Sequence, residues 1–249
     1  SWCKRALLEH RVRMNDTQSH SVVEKLRLLS PWLEPGGAAL VAPPPRELPP
    51  GLVALLQPPY AVLQAPAAVA YKQWPIAHWR ELVEALLARG LQVVLTGAPS
   101  ALDRSVVDAV RSGFAADRVV DAAGAIDLPQ VGALLRGAAV YIGGDTSITH
   151  LAAACDLPVV ALYGPIDPRY FGPWPANETL VVPYVSHALV QHAGKVTVLQ
   201  GTPPCVPCNR AGCHDRNDSV SVCLLTMRSA RVVAEVDRSL GRGVVAERQ

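Results

Sequence analysis

The chain has 249 residues, half of them apolar, and a formal net charge of +2. That much apolar content can fill a sizeable core, in one large domain or in one domain with part of a second, whereas so small a charge argues against a nucleic-acid partner. No apolar run reaches the length of a membrane span, and residues 1–18 lack the unbroken apolar centre of a signal peptide, so a soluble, cytoplasmic protein is expected.

Residues 1–57 differ from the rest of the chain. Val22, Val23, Leu26, Leu29 and Leu33 fall on one side of a helix predicted over 19–33, and a proline-heavy run then extends from Pro43 to Pro59. This reads as the end of one folding unit and a connection to the next. From Tyr60 onward, strands and helices alternate. Strands are predicted at 60–64, 91–96, 118–121, 138–142 and 158–162, and helices at 76–89, 102–111 and 128–136, the last begun by Asp127 with Pro129 in its first turn. Such alternation predicts an α/β fold, a Rossmann-like parallel sheet with helices on both faces, whose ligands collect at the carboxyl ends of the strands.

Two stretches fall at such ends. In the first, the strand ending at Ile142 breaks at Gly143-Gly144 and resumes as a helix carrying Ile148, Leu151, Ala152 and Cys155, which brings Asp145, Thr146 and Ser147 to a helix N-terminus. Unpaired N–H groups and the positive end of the helix dipole suit that position to phosphate. Asp145 has the chemistry of an N-cap, Thr146 and Ser147 add hydroxyls, and His150 sits one turn on. The plainer alternative is that Asp145 only caps the helix and His150 is a satisfied, half-buried side chain. In the second stretch, Lys72 precedes a helix whose start is marked by Pro75, and its ammonium is a compact partner for a diphosphate or else an ordinary surface charge.

The six cysteines are unevenly spread. Cys205, Cys208, Cys213 and Cys223 crowd into nineteen residues, with Pro207 inside a Cys-x-x-Cys knuckle. Clustered thiolates suit tetrahedral zinc or iron, with His214 as a substitute ligand; free thiols or a single disulfide are the alternatives. Four thiolates would leave no open position for substrate, so the role expected is structural. Beyond them a final helix is predicted over 224–240.

The wording Gly143-Gly144-Asp145-Thr146, then His150-Leu151-Ala152-Ala153-Ala154, Leu162-Tyr163-Gly164-Pro165 and Asp167-Pro168, resembles glycosyltransferase family 9, the heptosyltransferases of lipopolysaccharide inner-core synthesis. Lys72-x-Trp74-Pro75 with Trp79 resembles the same family, in which the lysine contacts donor phosphates. The resemblance covers roughly 60–240. It implies the C-terminal, donor-binding half of a GT-B fold: residues 58–200 hold a nucleotide sugar of the ADP-heptose type, 201–249 add the cysteine cluster and last helix to the same domain, and 1–57 are a remnant of the acceptor domain. Lys72, Gly144, Asp145, Thr146, Ser147 and His150 are the implied donor contacts.

The resemblance further implies an inverting transfer to a glycolipid, other glycan or protein acceptor. It needs no catalytic metal, and its carboxylate base comes from the N-terminal half, so no catalytic residue is assigned here. Some members hold iron at a similar cysteine cluster; an alternative reading is a binding or assembly module in which that cluster organises a homo-oligomer. Membrane contact is peripheral at most. Two departures are visible: Ser147 stands where the family usually has glycine, and residues 65–68 (Ala-Pro-Ala-Ala) stand where many members have hydroxyls. These departures keep open a different nucleotide sugar, or a non-catalytic binding module.

Overall fold

A computed structural model of the chain describes residue 12 and residues 19–34, 38–176 and 182–242. The expectations for residues 1–18 therefore fall, apart from residue 12, outside the described residues. In chain order the elements are α1 (Ser21–Arg27), α2 (Pro50–Val53), β1 (Tyr60–Gln64), α3 (Ile76–Ala88), β2 (Gln92–Thr96), α4 (Ala101–Arg111), β3 (Val119–Asp121), α5 (Leu128–Arg136), β4 (Val140–Gly144) and α6 (Ser147–Ala154). There follow β5 (Val159–Tyr163), α7 (Pro168–Phe171), β6 (Val190–Ala193), β7 (Val196–Gln200), α8 (Val222–Leu225) and α9 (Ser229–Ser239). Among the described residues, no helix is long and apolar enough to cross a membrane.

The strands form one seven-stranded sheet in the order β3-β2-β1-β4-β5-β7-β6. All neighbours are parallel except β6 and β7, which form an antiparallel hairpin at one edge. Strand residues alternate between two cores, as the period of two requires. Ala61 and Leu63 pack with Trp74, Trp79 and Leu82 of the α3 side and with Val232 and Val236 of α9. Tyr60 and Val62 pack with Leu134 and Leu135 of α5 and Ala152 of α6 on the other side. Helices thus cover both faces of a mainly parallel sheet, as the alternation predicts.

The strand order decides where a ligand goes. From β1 the chain crosses to β2 on one side, whereas β4 leads to β5 on the other, so β1 and β4 are hydrogen-bonded neighbours whose following loops diverge. A crevice opens at such a switch point, at the carboxyl ends of the two strands.

The structure differs from the sequence expectations in several places. The helix predicted over 19–33 is regular only over Ser21–Arg27, and its apolar side is not buried: Leu29 is 45% and Leu33 61% exposed. Glu24 is buried instead, held by Ser19 and, at 2.6 Å, by Arg27. The single helix predicted over 224–240 is two. Backbone extension at Arg228 (φ −76°, ψ 146°) separates α8 from α9, and the Met227 carbonyl accepts a 2.8 Å bond from Trp74 Nε1. The proline-rich stretch lies against the sheet's helical cover: Arg46 N–H donates to the Pro129 carbonyl at 3.3 Å, and Gln130 Nε2 to the Glu47 carbonyl at 3.0 Å. The β6–β7 hairpin has no counterpart among the predicted elements.

Candidate functional site

The crevice between the ends of β1 and β4 is a cavity of about 580 Å³. On one side it is lined by Tyr71, Lys72, Asp145, Thr146 and Ser147, and on the other by Thr96, Gly97, Ile126, Leu128 and Val131. Charge and hydroxyls thus share the cavity with the apolar side chains of Ile126, Leu128 and Val131, and Gln64 and Asp103 also border it. Pro66, Ala68 and Val69 close its edge, so the stretch lacking hydroxyls does border the cavity.

Lys72 arrives on a single 3₁₀ turn (Ala70–Lys72) after β1, and its ammonium lies 2.6 Å from Asp145 Oδ2. Asp145 is nearly buried, with its side chain 10% exposed, and His150 Nε2 lies 4.0 Å from its other oxygen. The lysine contact is close but poorly aligned as a hydrogen bond, leaving Oδ2 without a well-directed donor. Burial is the main cause that lowers the His150 pKa; Lys72 and Lys25 act in the same sense, and Asp145 opposes them. The phenol of Tyr163 is pushed up by its own burial first and by Asp145 next.

Asp145 is not the N-cap expected from the sequence. Thr146 occupies that position in an extended conformation (φ −137°, ψ 163°), and no side chain caps the first turn of α6. The cause lies in the pairing: the carboxylate is drawn toward Lys72 and His150. An uncapped first turn lacks a side-chain acceptor for its N–H groups, which suits it to an external anion. Of the predicted donor contacts, Lys72, Asp145, Thr146 and Ser147 line the cavity together, whereas Gly144 and His150 are not among its lining residues.

Asp127 is the N-cap of α5, in a capping box with Gln130, as predicted. Other residues that shape the site carry weaker sequence signals. Gln73 accepts from Ala67 N–H at 3.1 Å and donates to the Ala65 carbonyl at 3.0 Å, fixing the loop before Lys72. Ser221 Oγ donates to the Tyr71 carbonyl at 2.7 Å, and the Asn217 carbonyl accepts from Ala70 N–H at 3.2 Å. The segment between the cysteines thus braces the Lys72 turn from behind, a contact across so many residues that no local pattern announces it.

The four clustered cysteines are free thiols. Cys205 and Cys213 are exposed and Cys223 is buried. Burial pushes the Cys223 thiol up to about 11, with Cys208 and Cys213 adding to the shift, and Cys213 Sγ accepts from Val222 N–H at 3.3 Å. Among the described residues, no three His, Cys, Asp or Glu side chains are grouped to hold a metal ion. The four-thiolate site expected of Cys205, Cys208, Cys213 and Cys223 is therefore not formed in this arrangement.

The sequence profile of glycosyltransferase family 9 (heptosyltransferase) matches residues 37–196, more than half of the chain and every strand from β1 to β6. The chain belongs to glycosyltransferase family 9. It is 37% identical over 118 residues to lipopolysaccharide heptosyltransferase 3 of Escherichia coli K12, a match covering 47% of this chain and 34% of that protein. The crystal structure of a family 9 glycosyl transferase from Veillonella parvula superposes with a TM-score of 0.73 at 17% identity, covering 96% of this chain and 65% of that one. The E. coli ADP-heptose LPS heptosyltransferase II superposes with a TM-score of 0.65 at 21% identity, covering 92% and 65%. These superpositions establish the GT-B type of α/β fold. The chain spans about a third of the length of the curated relative.

Proposed function

We propose that the β1–β4 crevice binds the nucleoside diphosphate of an ADP-heptose-type donor, and that this chain supplies the donor half of an inverting heptosyltransferase. The carrying observation is the convergence of Lys72 with the uncapped first turn of α6 at the switch point, in a cavity that Ile126, Leu128 and Val131 also line. Membership of a family of heptosyltransferases, and the ADP-heptose in a structural relative's name, support the choice of donor.

In the proposed reaction an acceptor hydroxyl oxygen bonds to the anomeric carbon while the bond from that carbon to the diphosphate oxygen breaks, its electron pair leaving on ADP. The hydroxyl proton goes to a carboxylate base, a role assigned to no residue of this chain. Lys72 and the first-turn amides at Ser147 take up the charge that grows on the leaving diphosphate, stabilisation by groups already in place. Asp145 holds the Lys72 ammonium at the crevice and orients His150. Ala68 and Val69 offer the donor no hydroxyl, so the phosphates rely on Lys72 and the first turn of α6.

Calorimetric titration of the chain with ADP, UDP and ADP-heptose tests the reading. ADP and ADP-heptose binding, with UDP at least tenfold weaker, is the expected result. A preference for UDP would replace the donor, and no binding of any of the three would overturn the reading.

A further inference from the structure

Beneath the turn that carries Asp145 and Thr146 lies a buried hydroxyl network. Thr149 Oγ1, on the inner side of α6, is 2.5 Å from the Gly144 carbonyl oxygen, 2.8 Å from Tyr141 Oη and 3.2 Å from Thr146 Oγ1. Tyr141 and Thr149 are both fully buried. Proton counting fixes the directions. A carbonyl only accepts, so the single Thr149 hydroxyl proton goes to Gly144 O; the Tyr141 and Thr146 hydroxyls then donate to Thr149 Oγ1. Burial pushes the Tyr141 phenol up, which keeps it protonated as that donor.

Gly143 is part of the same device. A Cβ at that position would overlap Tyr141 Oη, so only glycine lets the ring lie along β4 and reach α6. The network therefore ties the last strand residue, Gly144, to the N-cap, Thr146, through side chains that contact neither the cavity nor solvent.

We propose that Tyr141 and Thr149 are positioning residues for the phosphate-binding turn 144–147. They hold the Gly144 carbonyl beneath α6 and draw the Thr146 hydroxyl inward, so that the first-turn amides and Ser147, rather than Thr146, are the first donors a phosphate meets. The identity of that phosphate rests on the donor reading above; the positioning role does not.

Two readouts on Tyr141→Phe, Thr149→Val and Thr149→Ser separate these ideas. Tyr141→Phe keeps the ring, and Thr149→Ser keeps the hydroxyl. In the ligand-free chain, hydrogen exchange of the amides at 144–148 is expected to quicken about tenfold in Tyr141→Phe and Thr149→Val, to stay near wild type in Thr149→Ser, and to be unchanged in β1 and β5. ADP affinity is expected to fall about three- to tenfold in the first two variants, as for loss of one hydrogen bond, with adenosine affinity within about twofold of wild type. Unchanged exchange at 144–148, or equal quickening throughout the sheet, would overturn the positioning role. Failure of wild type to bind ADP would overturn the donor reading alone, and the exchange measurement would still decide the positioning role.

Discussion

Lys72 and Asp145 follow two different strands, β1 and β4, and meet at 2.6 Å where those strands diverge. With side-chain exposures of 26% and 10%, the pair is partly withdrawn from water, so the carboxylate depends on its partner. Lys72→Met is therefore expected to destabilise the chain by about 1–3 kcal/mol, and Lys72→Met/Asp145→Asn to recover part of that loss. A double-mutant cycle in urea checks this; strict additivity would mean that the contact contributes nothing.

Ser221 reaches the Lys72 turn from the far end of the chain, through its 2.7 Å bond to the Tyr71 carbonyl. Ser221→Ala is expected to cost about 1 kcal/mol of stability and to weaken ADP a few-fold. Ser221→Thr retains the hydroxyl and is expected to retain most of both. Thermal unfolding and calorimetry on the two variants provide the check.

His20 is almost wholly buried, with Nε2 donating to the Gly172 carbonyl at 2.8 Å and its ring 4.8 Å from that of Trp174. Burial lowers its pKa from 6.5 to about 4 in the folded chain. Below pH 6.5 the unfolded chain binds a proton that the folded chain refuses, so stability present above that pH is lost as pH falls toward 4. The full effect is roughly 3 kcal/mol. The lowered carboxyls of Asp121, Asp167 and Asp237 titrate at lower pH than this window. His20→Gln preserves a donor for Gly172 and is expected to make the stability profile between pH 6.5 and 4 shallower, the lowered imidazoles of His150 and His192 keeping the remaining slope; an unaltered slope would contradict the assignment.

Thiol reactivity should follow exposure and protonation. Cys205 and Cys213 are exposed, whereas Cys223 is buried with its thiol pushed up to about 11. Mass-spectrometric mapping of alkylation at neutral pH is expected to find Cys205 and Cys213 labelled first and Cys223 only on unfolding. Rapid labelling of Cys223 in the folded chain would contradict this packing.

The parallel sheet is legible in the sequence because β1, β2, β4 and β5 are apolar nearly throughout, each followed by a turn or helix signal, and because a helix of period 3.6 follows most of them. The site is legible where chemistry is local: a lysine before Pro75, and a glycine turn before a helix. The N-cap is not, because a carboxylate next to a helix start resembles a cap until its ion-pair partner, distant in sequence, is known. The β6–β7 hairpin does carry a signal, Gly194 at φ +53° before the strand-forming Val196, Thr197 and Val198, but a faint one, because β6 itself reads Val-Gln-His-Ala. The exposure of Leu29 and Leu33, just beyond α1, escapes prediction because periodicity reports an apolar face but not whether anything covers it. Bracing by Ser221 and the Tyr141–Thr149 network are out of reach, since serine, threonine and tyrosine in apolar surroundings give no local clue to distant partners.

Everything proposed for the crevice depends on Lys72, set beside the first turn of α6, receiving the diphosphate. The ADP affinity of Lys72→Ala against wild type, by calorimetry at low ionic strength, decides this. A loss of about tenfold to a hundredfold is expected, the cost of a missing charged donor of about 1.5–3 kcal/mol. An affinity within about twofold of wild type would contradict that role and leave Lys72 as a structural partner of Asp145.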